Sequence, residues 1–280
     1  MLMSILLFSL MDADVKWLGA TYSTAQIMFF RCALAMIPVL VIVGMRGGPG
    51  VLRTRRKRLH LLRSVLGISA MGLAFYAFSL MPLAEAVSIL HMTPLFMTAL
   101  SVLVLRETVG IRRWSAVVVG FAGMLLVVRP GPGVLDSGSL YMLAAAALIA
   151  CTTIVIRILG RTDDPVCITF YFTLTGVIAG SIGLAFQGWI TPPPGDLVLL
   201  ILVGLLGGLA QYLMTLSYQH VAVGIVAPLK YLTIVSSGII AYFVWGEIPD
   251  LQSCIGIALI ITGGLYTLHR ELVLDRDGAR

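Results

Sequence analysis

The stretch AQIMFFRCALAMIPVLVIVGM (25–45) holds a single charged residue, Arg31, and is followed by Arg46, Arg53, Arg55, Arg56, Lys57, Arg58 and Arg63. At 1.5 Å per residue, a helix of about 20 apolar residues crosses the ~30 Å hydrocarbon core of a bilayer. Lys and Arg are retained on the cytoplasmic side of such a span. The stretch therefore predicts a membrane helix that ends at a cytoplasmic loop. The rest of the chain agrees with that reading. It is 59% hydrophobic and 11% charged, with a mean hydropathy of +1.01, whereas soluble domains carry about 25% charged residues. A soluble fold is excluded, and the 280 residues leave no room for a separate soluble domain once the spans are placed. The net charge of +6 reads as membrane topology and contact with anionic lipid, with no nucleic-acid partner.

Apolar runs bounded by charge, Gly or Pro predict ten spans, at 1–19, 25–45, 60–81, 84–105, 113–129, 139–159, 165–187, 196–217, 220–245 and 251–269. Lipid forces backbone groups to be satisfied within each segment, and the alternating pattern of barrel strands is absent, so the fold class is an all-α polytopic membrane protein. With the N-terminus inside, most of the nineteen Lys and Arg residues fall at even-to-odd junctions. Both termini are then expected in the cytoplasm. The apolar part of the first run, Met1 to Met11, is short for a span, which predicts native residues upstream of Met1, and it lacks the basic start and cleavage site of a signal peptide. Cys32, Cys151, Cys167 and Cys254 each lie in apolar stretches without CxxC pairing, so no disulfide, metal site or cofactor is expected.

The two halves repeat at an offset near 140. Lys16-Trp17-Leu18-Gly19 matches Arg157-Ile158-Leu159-Gly160, and Thr93, Glu107, Gly123 and Leu125 match Thr233, Glu247, Gly263 and Leu265. Ser79 and Ala84 match Ser217 and Ala222 at a slightly smaller offset. An offset that contains five spans, an odd number, turns the second copy over in the membrane. The expected organisation is thus two inverted five-helix repeats, 1–135 and 136–280, for which a monomer is sufficient. Repeats of this kind hold substrate near the membrane midplane between the halves.

Several motifs in this order resemble one family. They are Lys16 closing the first span, Arg31 in Gln26-Ile27-Met28-Phe29-Phe30-Arg31, and Pro82-Leu83-Ala84-Glu85-Ala86 leading to His91-Met92-Thr93-Pro94-Leu95-Phe96. Arg106-Glu107, Gly246-Glu247, Val119-Gly120-Phe121-Ala122-Gly123 and Ile261-Thr262-Gly263-Gly264 complete the set. The chain resembles the drug/metabolite transporter superfamily in its ten-helix EamA-type branch, and within it the aromatic amino acid exporters. The resemblance implies export of amino acids or related metabolites. Two departures stand out: Ile234 occupies the position of Pro94 in the second half, and Asp12-Ala13-Asp14 replaces the single membrane glutamate of small multidrug-resistance relatives. Proton antiport is not carried over.

Ionisable groups inside spans cost about 2.5–3.5 kcal/mol on insertion scales, so they mark aqueous or interior positions. His91 is expected in the middle of the fourth span beside Pro94, a helix kink, and Lys230 in the ninth span beside a second kink at Pro228; Tyr231 aligns with His91. These three either face a central cavity and meet substrate, or His91 makes a bond between helices and Lys230 snorkels. Trp17, Phe75, Tyr76, Phe78, Tyr171 and Tyr212 offer stacking surfaces to a small-molecule substrate, or serve as interfacial and packing residues. Asp12, Asp14, Lys16 and Arg31 are read as an outer gate or as structural ion pairs, with Asp12 and Lys16 on one helix face at i,i+4 as the simplest pair. Glu107 and Glu247 at helix ends read as structural. The glycine pairs Gly176–Gly180 and Gly204–Gly208 predict close helix contacts.

The sequence favours a secondary transporter working by alternating access. It contains no GxxxxGK[ST] for nucleotide coupling, and no HExxH or GxSxG for an intramembrane enzyme. A channel without saturable binding is the remaining class.

Overall fold

The computed structural model describes residues 1–93, 96, 115, 118, 119, 122, 123, 125, 126, 137–220 and 232–278. Among the described residues every regular element is helical: α1 (Leu2–Leu18), α2 (Thr24–Met45), a 3-10 turn (Gly48–Leu52), α3 (Lys57–Phe78), α4 (Leu83–Leu90), α5 (Ser137–Leu159), α6 (Pro165–Gln187), α7 (Pro194–His220), α8 (Leu232–Trp245) and α9 (Leu251–Gly278). Five of them, α2, α3, α5, α6 and the Pro194–Ser217 part of α7, are long and apolar enough to cross a membrane.

The helix starts follow from local chemistry. Ser23 caps α2, its Oγ accepting from the Gln26 N–H at 3.3 Å, and the Asp164 carboxylate caps α6, accepting from the Val166 N–H at 2.9 Å with Pro165 in the first turn. Gly188, at φ +82°, ends α6 with a backbone conformation that L side chains rarely adopt. Just beyond it, Gln26 from α2 satisfies the backbone of Ile190 twice: its Nε2 donates to the carbonyl at 2.6 Å and its Oε1 accepts from the N–H at 3.1 Å.

The structure departs from the predicted spans in four places. The third span starts three residues earlier, at Lys57, and Arg63, counted in the sequence with the charges of the basic loop, is buried in α3 at 2% exposure. The fourth does not run through His91; α4 stops at Leu90, and His91 and Met92 form a turn. The cause lies in the covalent chemistry of proline: Pro94 has no N–H to offer the Leu90 carbonyl, four residues back. The Thr93 hydroxyl donates to that carbonyl instead, at 2.6 Å. The α7 helix continues to His220, and α9 runs to Gly278 because Leu-His-Arg-Glu-Leu-Val-Leu-Asp-Arg-Asp holds no Gly or Pro to stop it. Lys230, Tyr231, Pro94 and Pro228 lie outside the described residues.

Both glycine pairs anticipated from sequence lie against α2. A Cβ on Gly176 would strike Cys32 Sγ, and one on Gly180 would come within 2.8 Å of the Phe29 backbone. On the other side, Gly204 faces Leu34, and a Cβ on Gly208 would lie 2.8 Å from Ala35. Helix α2 is thus gripped between α6 and α7 at backbone distance, which van der Waals packing rewards in a bilayer where the hydrophobic effect does not.

The other main packing partners are α3 with α5 and α6, α1 with α7 and α8, and α4 with α8 and α5. These pairings map onto one another when α1, α2, α3 and α4 are exchanged with α5, α6, α7 and α8. Contacts α2–α6 and α4–α8 map to themselves; α3–α5 exchanges with α1–α7, α2–α7 with α3–α6, and α4–α5 with α1–α8.

Candidate functional site

Several helices converge on a cavity of about 230 Å³. Its walls come from α1 (Phe8, Met11, Asp12), α2 (Arg31), α3 (Arg63, Met71, Phe75, Phe78), α5 (Thr152, Thr153), α6 (Phe172) and α7 (Gln211, Met214), with His91 and Thr93 completing it after α4. The lining is mostly apolar, and into it project two cations and one carboxylate from membrane-embedded helices. Helix α1 presents Asp12 because Ser4, Phe8, Met11 and Asp12 share one face at i, i+4, i+7 and i+8 spacing. Ser4 anchors that face to α7 by donating to the Ala210 carbonyl at 2.9 Å.

The two arginines approach one aromatic ring. The Arg63 guanidinium carbon lies 3.7 Å and that of Arg31 5.2 Å from the centre of the Phe172 ring. Gly67, one turn after Arg63, keeps this arrangement open: a Cβ there would meet Phe172 at 3.0 Å and Arg63 Nη1 at 3.1 Å. Arg31, read from sequence as part of an outer gate or a structural ion pair, sits about two turns inside α2, 3% exposed.

Among the other anticipated residues, His91 lines the cavity and its Nδ1 lies 2.7 Å from the Val87 carbonyl. Phe78, 1% exposed, borders both this cavity and a second, outer one. Trp17 belongs to the second cavity, where its ring lies 6.4 Å from that of Trp245. Tyr76, Tyr171 and Tyr212 line neither cavity. Tyr76 packs edge-on against Tyr141 at 5.1 Å on an exposed face. The Tyr171 hydroxyl donates to the Leu52 carbonyl at 3.2 Å, and the Tyr212 hydroxyl accepts from Arg46 at 3.0 Å. Asp14, half-buried, is not among the cavity-lining residues. Arg63, Phe172, Thr152, Thr153 and Gln211 are additions that sequence reading did not single out. For Arg63 the one available signal was a cation that follows Leu61 and Leu62 instead of adjoining the basic cluster.

Polar links close the bundle at both ends. At the basic end, which carries the Arg46–Arg58 loop, Asp163 accepts from the Thr54 hydroxyl at 2.6 Å and lies 2.6 Å from His60 Nε2, while Arg46 pairs with Asp164 at 2.9 Å. Burial raises the Asp163 carboxyl, but bonds from Thr54, His60 and Thr162 outweigh it and leave its pKa below the ordinary value. The Arg46 guanidinium is pushed further up by the hydrogen bond and charge of Asp164.

At the opposite end Lys16 pairs with Glu247, not with Asp12, and Glu247 also accepts from the Leu83 N–H at 3.1 Å. The Lys16 ammonium lies 4.7 Å over the Trp245 ring. There too, the Tyr22 hydroxyl donates to Asp196 at 2.7 Å. Burial, then the Asp196 bond and charge, pushes the Tyr22 phenol up to about 12, so it stays a donor at neutral pH. Glu247, read from sequence as structural, therefore joins α1, α4 and the end of α8.

Comparison with known proteins places these residues in context. The pattern of the EamA-like transporter family matches residues 1–129 and 136–268. The chain is similar to the S-adenosylmethionine uptake transporter of Rickettsia prowazekii, 29% identical over 96% of this chain and 91% of that protein. It is also similar to the pseudopaline exporter CntI of Pseudomonas aeruginosa (30%, 96% and 92%) and to a riboflavin transporter of Rhizobium johnstonii (27%, 97% and 90%). A solved crystal structure shares the fold with a TM-score of 0.67 at 18% identity, covering 96% of this chain and 98% of that one.

Proposed function

Because this chain belongs to the EamA-like transporter family, we propose that it is a secondary transporter that exports amino acids or related small metabolites across the bacterial inner membrane. It works by alternating access between two inverted five-helix halves, 1–135 and 136–280, with both termini cytoplasmic. The observation that carries this reading is the cavity between α1, α3, α5, α6 and α7, with charged side chains held among membrane helices. Charge at that depth is costly unless it serves a cargo or a water path. The exchange of packing partners between α1–α4 and α5–α8 supports the inverted arrangement, since related halves repeat their contacts. Phe75, Phe78 and Phe172 in the walls suit aromatic and other neutral amino acids, which stack on them.

A second reading draws on the relatives. They are named for uptake of S-adenosylmethionine, export of pseudopaline and transport of riboflavin, so fold and family leave cargo and direction open. The test is counterflow in proteoliposomes with labelled Trp, Phe, Thr and Met beside S-adenosylmethionine and riboflavin. Saturable, competable flux of an amino acid supports the first reading. Flux of only the other cargoes favours the second, and flux that rises linearly with concentration rejects a carrier in favour of a channel.

A further inference from the structure

The cavity contains a feature that transport by itself does not require. Arg31 and Arg63 are 3% and 2% exposed, and the Nε of both, together with Nη1 of Arg63, have no hydrogen-bond partner among the described residues. Among the described residues the one hydrogen-bonding contact of Arg31 is a long 3.9 Å approach to Cys32 Sγ. The ion pairs among the described residues are Lys16–Glu247, Arg46–Asp164 and His60–Asp163, so neither buried arginine is neutralised by a carboxylate within pairing distance. Asp12 shares the cavity with them without pairing.

Buried guanidinium groups are stable only when paired and hydrogen-bonded. The Phe172 ring near both compensates part of their charge, but a ring accepts no in-plane N–H bond. Guanidinium forks match the planar geometry of a carboxylate, where two parallel bonds form at once. The surroundings decide what carries that carboxylate. Phe8, Met11, Met71, Phe75 and Met214 make a large part of the wall apolar, which suits an organic body over a small hydrated anion.

Resting on the transporter reading, we propose that Arg31 and Arg63, both beside Phe172, form the binding site for the carboxylate of an organic substrate, with its apolar body in the Phe- and Met-lined part of the cavity. Asp12 then faces any cationic group the same substrate carries. Amino acids fit this class. Neutral aromatic cargo without a carboxylate does not.

The test uses the purified protein in detergent, with phenylacetate and its uncharged isostere phenylacetamide as probes, read by isothermal titration calorimetry. Charge-assisted bonds predict that wild type binds phenylacetate about tenfold or more tightly than phenylacetamide. Arg63→Gln and Arg31→Gln are each expected to bring that ratio towards one, while Arg63→Lys, which keeps charge and loses the fork, falls between. Equal binding of the two probes by wild type overturns the proposal without reference to any variant. So does a wild-type ratio in Gln variants that elute as folded monodisperse protein. Inorganic phosphate or chloride displacing phenylacetate at equal concentration overturns the organic assignment, and failure of both to displace it supports the assignment. The two readings fail separately: a preserved carboxylate preference with no flux in proteoliposomes removes transport and leaves the site, whereas saturable flux without that preference removes the site and leaves transport.

Discussion

Asp163 shows how much depends on one side chain. It takes bonds from Thr54 of the α2–α3 loop and from His60 of α3, and the His60 and Asp163 side chains are 2% and 6% exposed. Asp163→Asn keeps the shape but removes the charge, leaving at least one of these buried donors poorly met. The expected cost is about 1–2 kcal/mol, seen as a lower unfolding midpoint by scanning fluorimetry in detergent. Its pH dependence has a defined sign. The carboxyl pKa is depressed in the folded protein, so its contribution is complete above the ordinary carboxylate pKa and is lost as pH falls through the folded value. Wild type and Asp163→Asn should therefore differ by a constant amount from about pH 5 to 8 and converge only in stronger acid. A difference that vanishes near pH 6 would mean that the carboxylate is not held as described.

Helix contacts were the more legible part of this protein, and α2 explains why. Its grip by α6 and α7 depends on the absence of side chains at Gly176, Gly180, Gly204 and Gly208, and a missing side chain is visible in sequence as small-xxx-small spacing. Gly208→Leu is expected to push α7 off Ala35 and destabilise the bundle by about 1–3 kcal/mol, whereas Gly195→Ala, with nothing within 4 Å of the added atom, should leave the unfolding midpoint unchanged. The position of α6 was equally legible because hydropathy reports the solvent of a segment directly; the helix matches its predicted bounds of 165 and 187. The cavity was not, for three reasons. Arg63 was masked by the basic run that precedes it, because a count of loop charges does not tell a cation at a helix start from one a turn inside. Phe172 is one of many aromatics in apolar runs, and only the fold brings it beside two arginines. The Tyr76 and Tyr212 rings are chemically suited to stacking, but the angular position of each on its helix turns it to Tyr141 or to Arg46 instead.

The links at the two ends belong to one design. Tyr22 sits in the turn after α1 and bonds Asp196 in the first turn of α7; Asp163 sits in the turn after α5 and bonds Thr54 and His60 around the start of α3. Exchanging α1 with α5 and α3 with α7 turns one link into the other. The ends also carry ion pairs, Lys16–Glu247 at one and Arg46–Asp164 at the other, and Phe78 separates the outer cavity from the central one. In an alternating-access protein the two ends open in turn, so weakening one set of links shifts the population towards opening at that end. A cysteine introduced as Met71→Cys, in a background with the four natural cysteines replaced, reports on access to the cavity from either side. Glu247→Gln, which removes the charge facing Lys16, is expected to raise its labelling by a membrane-impermeant thiol reagent applied to the face opposite the basic loop. Arg46→Ala should raise labelling from the basic face and lower it from the other. Labelling that rises from the same face in both variants would show that the two sets of links do not oppose one another, and would remove the mechanical basis for rocking the halves around the cavity.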